Sequence, residues 1–134
     1  FPQLKVVAYH FGWPQNDELN CLAWKHRNLY IGMSGMLGPW YYAPMKLAHV
    51  VGSVMNMLGG SDRLIFGTDW PAAPADLEVQ AVLNLEISKE LQEGWGYPPI
   101  TDEDRANMFG LNLAKILNVE VPKKYTKKLK KAAK

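Results

Sequence analysis

Three side chains that could do chemistry each close a short apolar run: His10, Ser34 and Asp69. An imidazole that titrates near neutrality and a carboxylate, brought to one point, can pass protons and polarise a bound molecule. Each residue taken singly has a plainer reading. A histidine at a strand end is commonly a hydrogen-bonded core residue, and an aspartate ahead of Trp70-Pro71 commonly caps a turn or helix. Their equivalent positions in successive units are what point to a shared centre. Ser34 offers a hydroxyl to a substrate or simply a turn residue. It is no serine nucleophile of the hydrolase elbow type, because Gly32-Met33-Ser34-Gly35-Met36 does not match G-x-S-x-G.

The elements that must position these residues follow from periodicity. Residues 4–10, rich in β-branched and apolar types, read as a buried strand ending in the Gly/Pro-punctuated loop His10-Phe11-Gly12-Trp13-Pro14. Asn16, Asp17 and Glu18 open a helix with Lys25, His26 and Arg27 in its last turn, the charge order that suits the helix dipole. This leaves Asp17, Glu18 and His26 without a catalytic part. Residues 29–33 form a second strand, and residues 36–44 an aromatic loop. A helix over residues 45–58 stops at Gly59-Gly60. Residues 63–67 give a third strand, residues 76–92 one further helix, and Thr101 with Asp104 the capping signal of another. Gly110 breaks that helix before a last one ending at Leu117. The order β-α-β-α-β-α-α with continuous apolar strands is that of an α/β parallel sheet, where loops after the carboxyl ends of strands carry the site. Three such strands make either an open three-layer sheet or one arc of something larger.

Composition narrows the classes. The 134 residues are 48% hydrophobic, 11% aromatic and 21% charged, which excludes a disordered chain and leaves enough apolar surface for one domain's core. The single cysteine, Cys21, excludes a disulfide scaffold and a cysteine zinc site. With no apolar run of spanning length, a cytoplasmic protein is expected. The net charge of +2 hides an asymmetry, since seven lysines lie between Lys123 and Lys134 and residues 1–122 carry eight basic against thirteen acidic side chains. A division into a folded segment 1–118 and a Lys-rich tail 119–134 is expected, the tail being a solvated terminus. Nothing in the body resembles a groove-reading element, so neither nucleic acid nor membrane is expected as partner. The chain opens Phe1-Pro2-Gln3 without an initiator Met and is in a strand pattern by Leu4, as if cut from the middle of a longer one.

Several segments resemble a known family. Phe1-Pro2-Gln3-Leu4-Lys5-Val6-Val7 followed by His10-Phe11-Gly12 is similar to F-P-x-L-K-V-x-x-x-H-x-G. Asn28-Leu29-Tyr30 with Ser34-Gly35 is similar to the next strand of the same family. Asp62-Arg63-Leu64-Ile65-Phe66-Gly67-Thr68-Asp69-Trp70-Pro71 resembles D-R-I-L-F-G-T-D-x-P, and Asn112-Leu113-Ala114-Lys115-Ile116-Leu117 resembles the closing N-A-x-x-L-L helix. The family is that of metal-dependent amidohydrolases of the aminocarboxymuconate-semialdehyde decarboxylase type. The resemblance implies a TIM (β/α)8 barrel of which this chain is the C-terminal part, strands six to eight.

The resemblance also implies roles. Asp69 resembles the metal-binding aspartate of the eighth strand that also takes the proton of the attacking water, and His10 the sixth-strand histidine beside the metal. The ion expected is Zn²⁺ or Mn²⁺. Family members carry H-x-H on the first strand and a histidine on the fifth, whereas this sequence holds only His10, His26 and His49. The missing ligands are therefore expected from a companion chain or a missing N-terminal barrel segment, within an oligomer. Trp13, Trp40, Tyr41, Tyr42 and Trp70 follow strand ends and either wall a pocket for a flat carboxylated substrate or pack in the core. Trp13, Ser34 and Trp70 are the substrate-binding candidates. His49, within a helix outside the sheet, reads as structural. The implied activity is hydrolysis or decarboxylation of a small unsaturated or aromatic carboxylate. The alternative is a non-catalytic subunit that keeps the fold for packing.

Overall fold

The apolar run Leu29-Tyr30-Ile31-Gly32 forms the middle strand, because only a position flanked on both sides satisfies its backbone while burying both its faces. The computed structural model describes residue 1 and residues 3–122, so the Lys-rich segment from Lys123 falls outside the described residues. It gives three parallel strands, β1 (Val6–Ala8), β2 (Leu29–Gly32) and β3 (Leu64–Ile65), in the order β1-β2-β3. Val6 stands beside Leu29, and Ile31 beside Leu64. The crossovers are α1 (Asn16–Lys25), then α2 (Leu37–Tyr41) and α3 (Pro44–Leu58). After β3 come α4 (Ala75–Leu83), α5 (Lys89–Trp95), α6 (Asp102–Ala106), a wider π-type turn at Asn107–Leu111, and α7 (Asn112–Leu117).

The core lies between the sheet and α3. Leu47, Val50, Val51, Val54 and Met55 recur at helical spacing on one face of α3 and are buried with Ile31, Met33 and Leu64. Pro44 starts α3 where its missing N–H costs nothing, and Gly59 ends it in the left-handed conformation (φ 79°). Thr101 and Asp104 form the reciprocal capping box expected of them.

The structure corrects several expectations. Residues 76–92 are two helices, not one. Between α4 and α5 the chain is extended, so Leu85 and Ile87 alternate into the core while Asn84 and Glu86 face out. Ser88 then restarts the helix by accepting the Leu91 N–H at 3.3 Å. The aromatic loop contains the short helix α2, which buries Leu37 and Trp40 against α4. The first strand is not buried: Val6 is 41% exposed, because β1 has no strand on its outer side among the described residues.

The two sheet margins differ. The outer side of β3 is occupied by the chain's own C-terminal part: Phe66 N–H donates to the Met108 carbonyl at 2.9 Å, and Asn112 Nδ2 donates to the carbonyls of Ser61 (2.7 Å) and Leu64 (2.9 Å). Asn112 is buried, and losing it leaves the Leu64 carbonyl without a donor and the Ser61 carbonyl with the Leu64 N–H alone. We expect Asn112→Leu to lower the unfolding free energy of the full chain by about 2–3 kcal/mol, read from urea denaturation. An unchanged midpoint would show that water replaces the amide.

Candidate functional site

The turn His10–Gly12 that follows β1 sets the first functional side chain. His10 (φ 59°) and Phe11 (φ 53°) both adopt the left-handed region, which costs a side-chain-bearing residue roughly 1–2 kcal/mol. The surroundings hold them there. Gly12 N–H donates to the Tyr9 carbonyl (3.0 Å), Trp13 N–H to the His10 carbonyl (2.8 Å), and Asn16 Nδ2 to the Phe11 carbonyl (2.8 Å). The Phe11 ring is buried against Trp40, with centroids 5.6 Å apart. Asp69, after β3, is left-handed as well (φ 56°). Backbone held in a sparsely populated region at two strand ends marks a place where side-chain direction matters.

The second strand end supplies the geometry. His10 Nδ1 lies 2.8 Å from the Ser34 carbonyl. A carbonyl only accepts, so Nδ1 carries the proton and Nε2 keeps a lone pair free for a proton, a substrate atom or an ion. Ser34 is buried and its Cβ faces Gly67 across the β2–β3 gap. Its carbonyl thus orients the imidazole, while its side chain packs between strands. Gly35 (φ 74°) comes next. A Cβ there would lie 2.8 Å from His10 Cε1 and 3.0 Å from Asp69 Oδ2. Two atoms that close to one point are at most about twice that distance apart. The imidazole and the carboxylate therefore converge over the one residue that has no side chain to separate them.

A third group, absent from the sequence-based candidates, borders this centre. Glu78 of α4 is fully buried (0% exposed), and neither of its carboxylate oxygens has a hydrogen-bond partner among the described residues. Burial pushes its carboxyl from an ordinary 4.5 up to about 7. The nearby Gly38 amide draws it down without forming a well-aligned bond, the Asp69 charge raises it further, and His10 lowers it. A glutamate in the first turn of an amphipathic helix reads as a solvated dipole partner, so only the packing of α2 onto α4 reveals it.

Trp13 is 47% exposed and Trp70 72% exposed, both beside the centre in sequence. Trp40 instead sits in the core, and Tyr41 and Tyr42 pair edge to face at 5.3 Å. The Lys46 ammonium stands 4.2 Å from the Trp13 ring centroid. His49 binds the Tyr97 hydroxyl at 3.2 Å between α3 and the Trp95–Tyr97 segment, a packing role. Asp17 and Glu18 lie in the first turn of α1, and His26 follows its last.

An ion needs more than this centre provides. Among the described residues no group of three or more His, Cys, Asp or Glu side chains could hold a metal. The donor that fits is the Asp69 carboxylate, exposed at the strand end, with the His10 ring beside it over Gly35. No helix of the described residues is long and apolar enough to cross a membrane. Compared with protein-family models, residues 1–119 match the amidohydrolase model. A search of curated proteins returned no match.

The Glu78 geometry predicts a pH dependence. Between pH 4.5 and about 7 the folded chain keeps a proton that the unfolded chain has released. Stability therefore falls as pH rises through that window, by up to roughly 3 kcal/mol, and stays lowered above it. Glu78→Gln should flatten that part of the profile and gain on the wild type at pH 8 relative to pH 5 in urea denaturation. Parallel profiles for the two proteins would contradict a buried, proton-holding Glu78.

Proposed function

The chain belongs to the amidohydrolase family, whose members are generally metal-dependent hydrolases or lyases, and from that premise we propose that it forms part of a metal-dependent hydrolase or decarboxylase acting on a small carboxylated, unsaturated or aromatic substrate. In this reading the three parallel strands are strands six to eight of a TIM barrel of the aminocarboxymuconate-semialdehyde decarboxylase type. The outer side of β1, which bears no strand among the described residues, is where the barrel continues, through a companion chain or an N-terminal segment, and closing it onto strand one requires the Met108 and Asn112 contacts at the outer side of β3 to give way. The observation that carries the reading is the convergence of His10 and Asp69 over Gly35, at the carboxyl ends of the two strands that flank β2.

Asp69 would hold a divalent ion in part, Zn²⁺ or Mn²⁺, with the remaining ligands from outside the described residues. When bound, such an ion supplies Lewis-acid polarisation and activates water. The chain's own residues then divide the proton work. Asp69, exposed and in a forced left-handed conformation, points an oxygen at the centre and accepts the proton of an attacking water. His10 is locked by the Ser34 carbonyl with Nε2 free, so it orients a substrate oxygen and, once protonated, donates to it. Trp13 and Trp70, exposed and close to His10 and Asp69 in sequence, are the indoles that would border a flat substrate.

Elemental analysis of the full chain, alone and in the assembly it is purified from, tests this. Stoichiometric divalent metal should be present in the assembly. Asp69→Asn should remove it, and Gly35→Ala should weaken it at least tenfold by driving a methyl group between His10 and Asp69. Metal absent in every context would leave the fold with a packing role alone.

A further inference from the structure

Most cationic side chains of the described residues have a structural place away from the candidate site. Lys5, Lys25, His26 and Arg27 line a cavity of about 730 Å³ with Asn28 and Tyr30, at the amino-terminal end of the strands. Arg63 donates to the carbonyls of Ala23 and His26. Arg105 pairs with Asp102 at 3.5 Å. Lys46 differs from all of these. It lies in the first turn of α3, which leaves the loop after β2, and so stands at the end of the sheet that carries His10 and Asp69.

Helix stability does not account for it. A cation in the first turn opposes the helix dipole, and α3 has no acidic residue in that turn to offset it. Lys46 makes no ion pair among the described residues. Instead its Nζ rests 4.2 Å from the Trp13 ring centroid and 5.2 Å from that of Trp40. The two indoles meet edge to face with centroids 5.7 Å apart. Trp40 is fixed in the core against Phe11, the residue after His10, and Trp13 is tied to the His10 carbonyl by its N–H. The ammonium is thus held on an aromatic platform built from the same turn that sets the imidazole. An ammonium has three donors, and π faces on one side leave those on the other free for an anion.

We propose that Lys46 is the specificity residue of this site, binding a carboxylate of the substrate while the half-exposed Trp13 indole borders the adjoining planar, unsaturated part. The inference rests on the enzymatic reading above and adds the residue that selects an anionic over a neutral substrate. Lys46 touches no metal donor, so its loss should leave metal content intact. The metal experiment and this one can therefore fail separately.

Binding of benzoate and of benzamide, which has the same ring without the charge, to the full chain in its purified assembly provides the test, followed by calorimetry and tryptophan fluorescence. Benzoate should bind the wild type at least tenfold more tightly than benzamide and weaken with added salt. Lys46→Met should lower benzoate affinity tenfold or more, leave benzamide affinity and metal content unchanged, and be largely restored in Lys46→Arg. With turnover in hand, Lys46→Met should raise KM far more than it lowers kcat. Equal benzoate affinity in wild type and Lys46→Met would overturn the assignment, as would no preference for benzoate in the wild type. If Lys46→Met fails to fold, Lys46→Gln and the salt dependence of the wild type decide the same question.

Discussion

The close approach over Gly35 governs the rest of this structure. Three separate strand ends meet there: the imidazole after β1, the backbone after β2 and the carboxylate after β3. The approach is possible only because the turn after the middle strand places a residue with no side chain there, in a conformation (φ 74°) that side-chain-bearing residues rarely adopt. Gly67 does the same between β2 and β3, where a Cβ would lie 3.1 Å from that of Ser34. The left-handed strain at His10, Phe11 and Asp69 is the counterpart of this crowding, and the buried Phe11 ring offsets part of it, a full phenyl burial being worth roughly 1.5–3 kcal/mol.

The polar groups around that point are arranged by opposite means. His10 has its Nδ1 proton assigned by a backbone carbonyl, which leaves the other nitrogen available. Glu78 has no hydrogen-bond partner for its carboxyl oxygens among the described residues and resolves its burial by keeping its proton. Lys46 rests its ammonium against two indoles, 4.2 Å and 5.2 Å from their centroids. The site thus holds an imidazole of defined tautomer, an exposed carboxylate and a carboxyl biased toward neutrality. They stand on turns and helix starts anchored in one core.

Much of this was legible in the residue pattern, and the limits have physical causes. The parallel sheet, the glycine stop of α3 and the Thr101–Asp104 box are local signals, and each is present. Positions at strand ends sufficed to single out His10 and Asp69, since consecutive parallel strands bring their carboxyl ends to one side. The break between α4 and α5 was hidden because Leu85 continues the helical series of Ala81 and Val82 and Ile87 stands one turn before Leu91, so each fits a helix taken singly, and only their joint burial and the Ser88 cap mark the interruption. The exposure of β1 depends on what flanks it, which no local pattern encodes. Ser34 holds the imidazole through its carbonyl, a role that residue type does not signal. Glu78 and Lys46 gain their meaning from residues some forty and thirty positions away, through the packing of α2 on α4 and the edge-to-face contact of Trp13 with Trp40.

The convergence of imidazole and carboxylate is most directly read by long-range ¹H–¹⁵N NMR of the histidine rings in the full chain, with His26 and His49 as internal references. The structure predicts that His10 is in the Nδ1–H form, and that Zn²⁺ shifts its Nε2 resonance in the wild type but not in Asp69→Asn. An Nε2–H form for His10, or an identical Zn²⁺ response with and without the Asp69 carboxylate, would contradict a common centre.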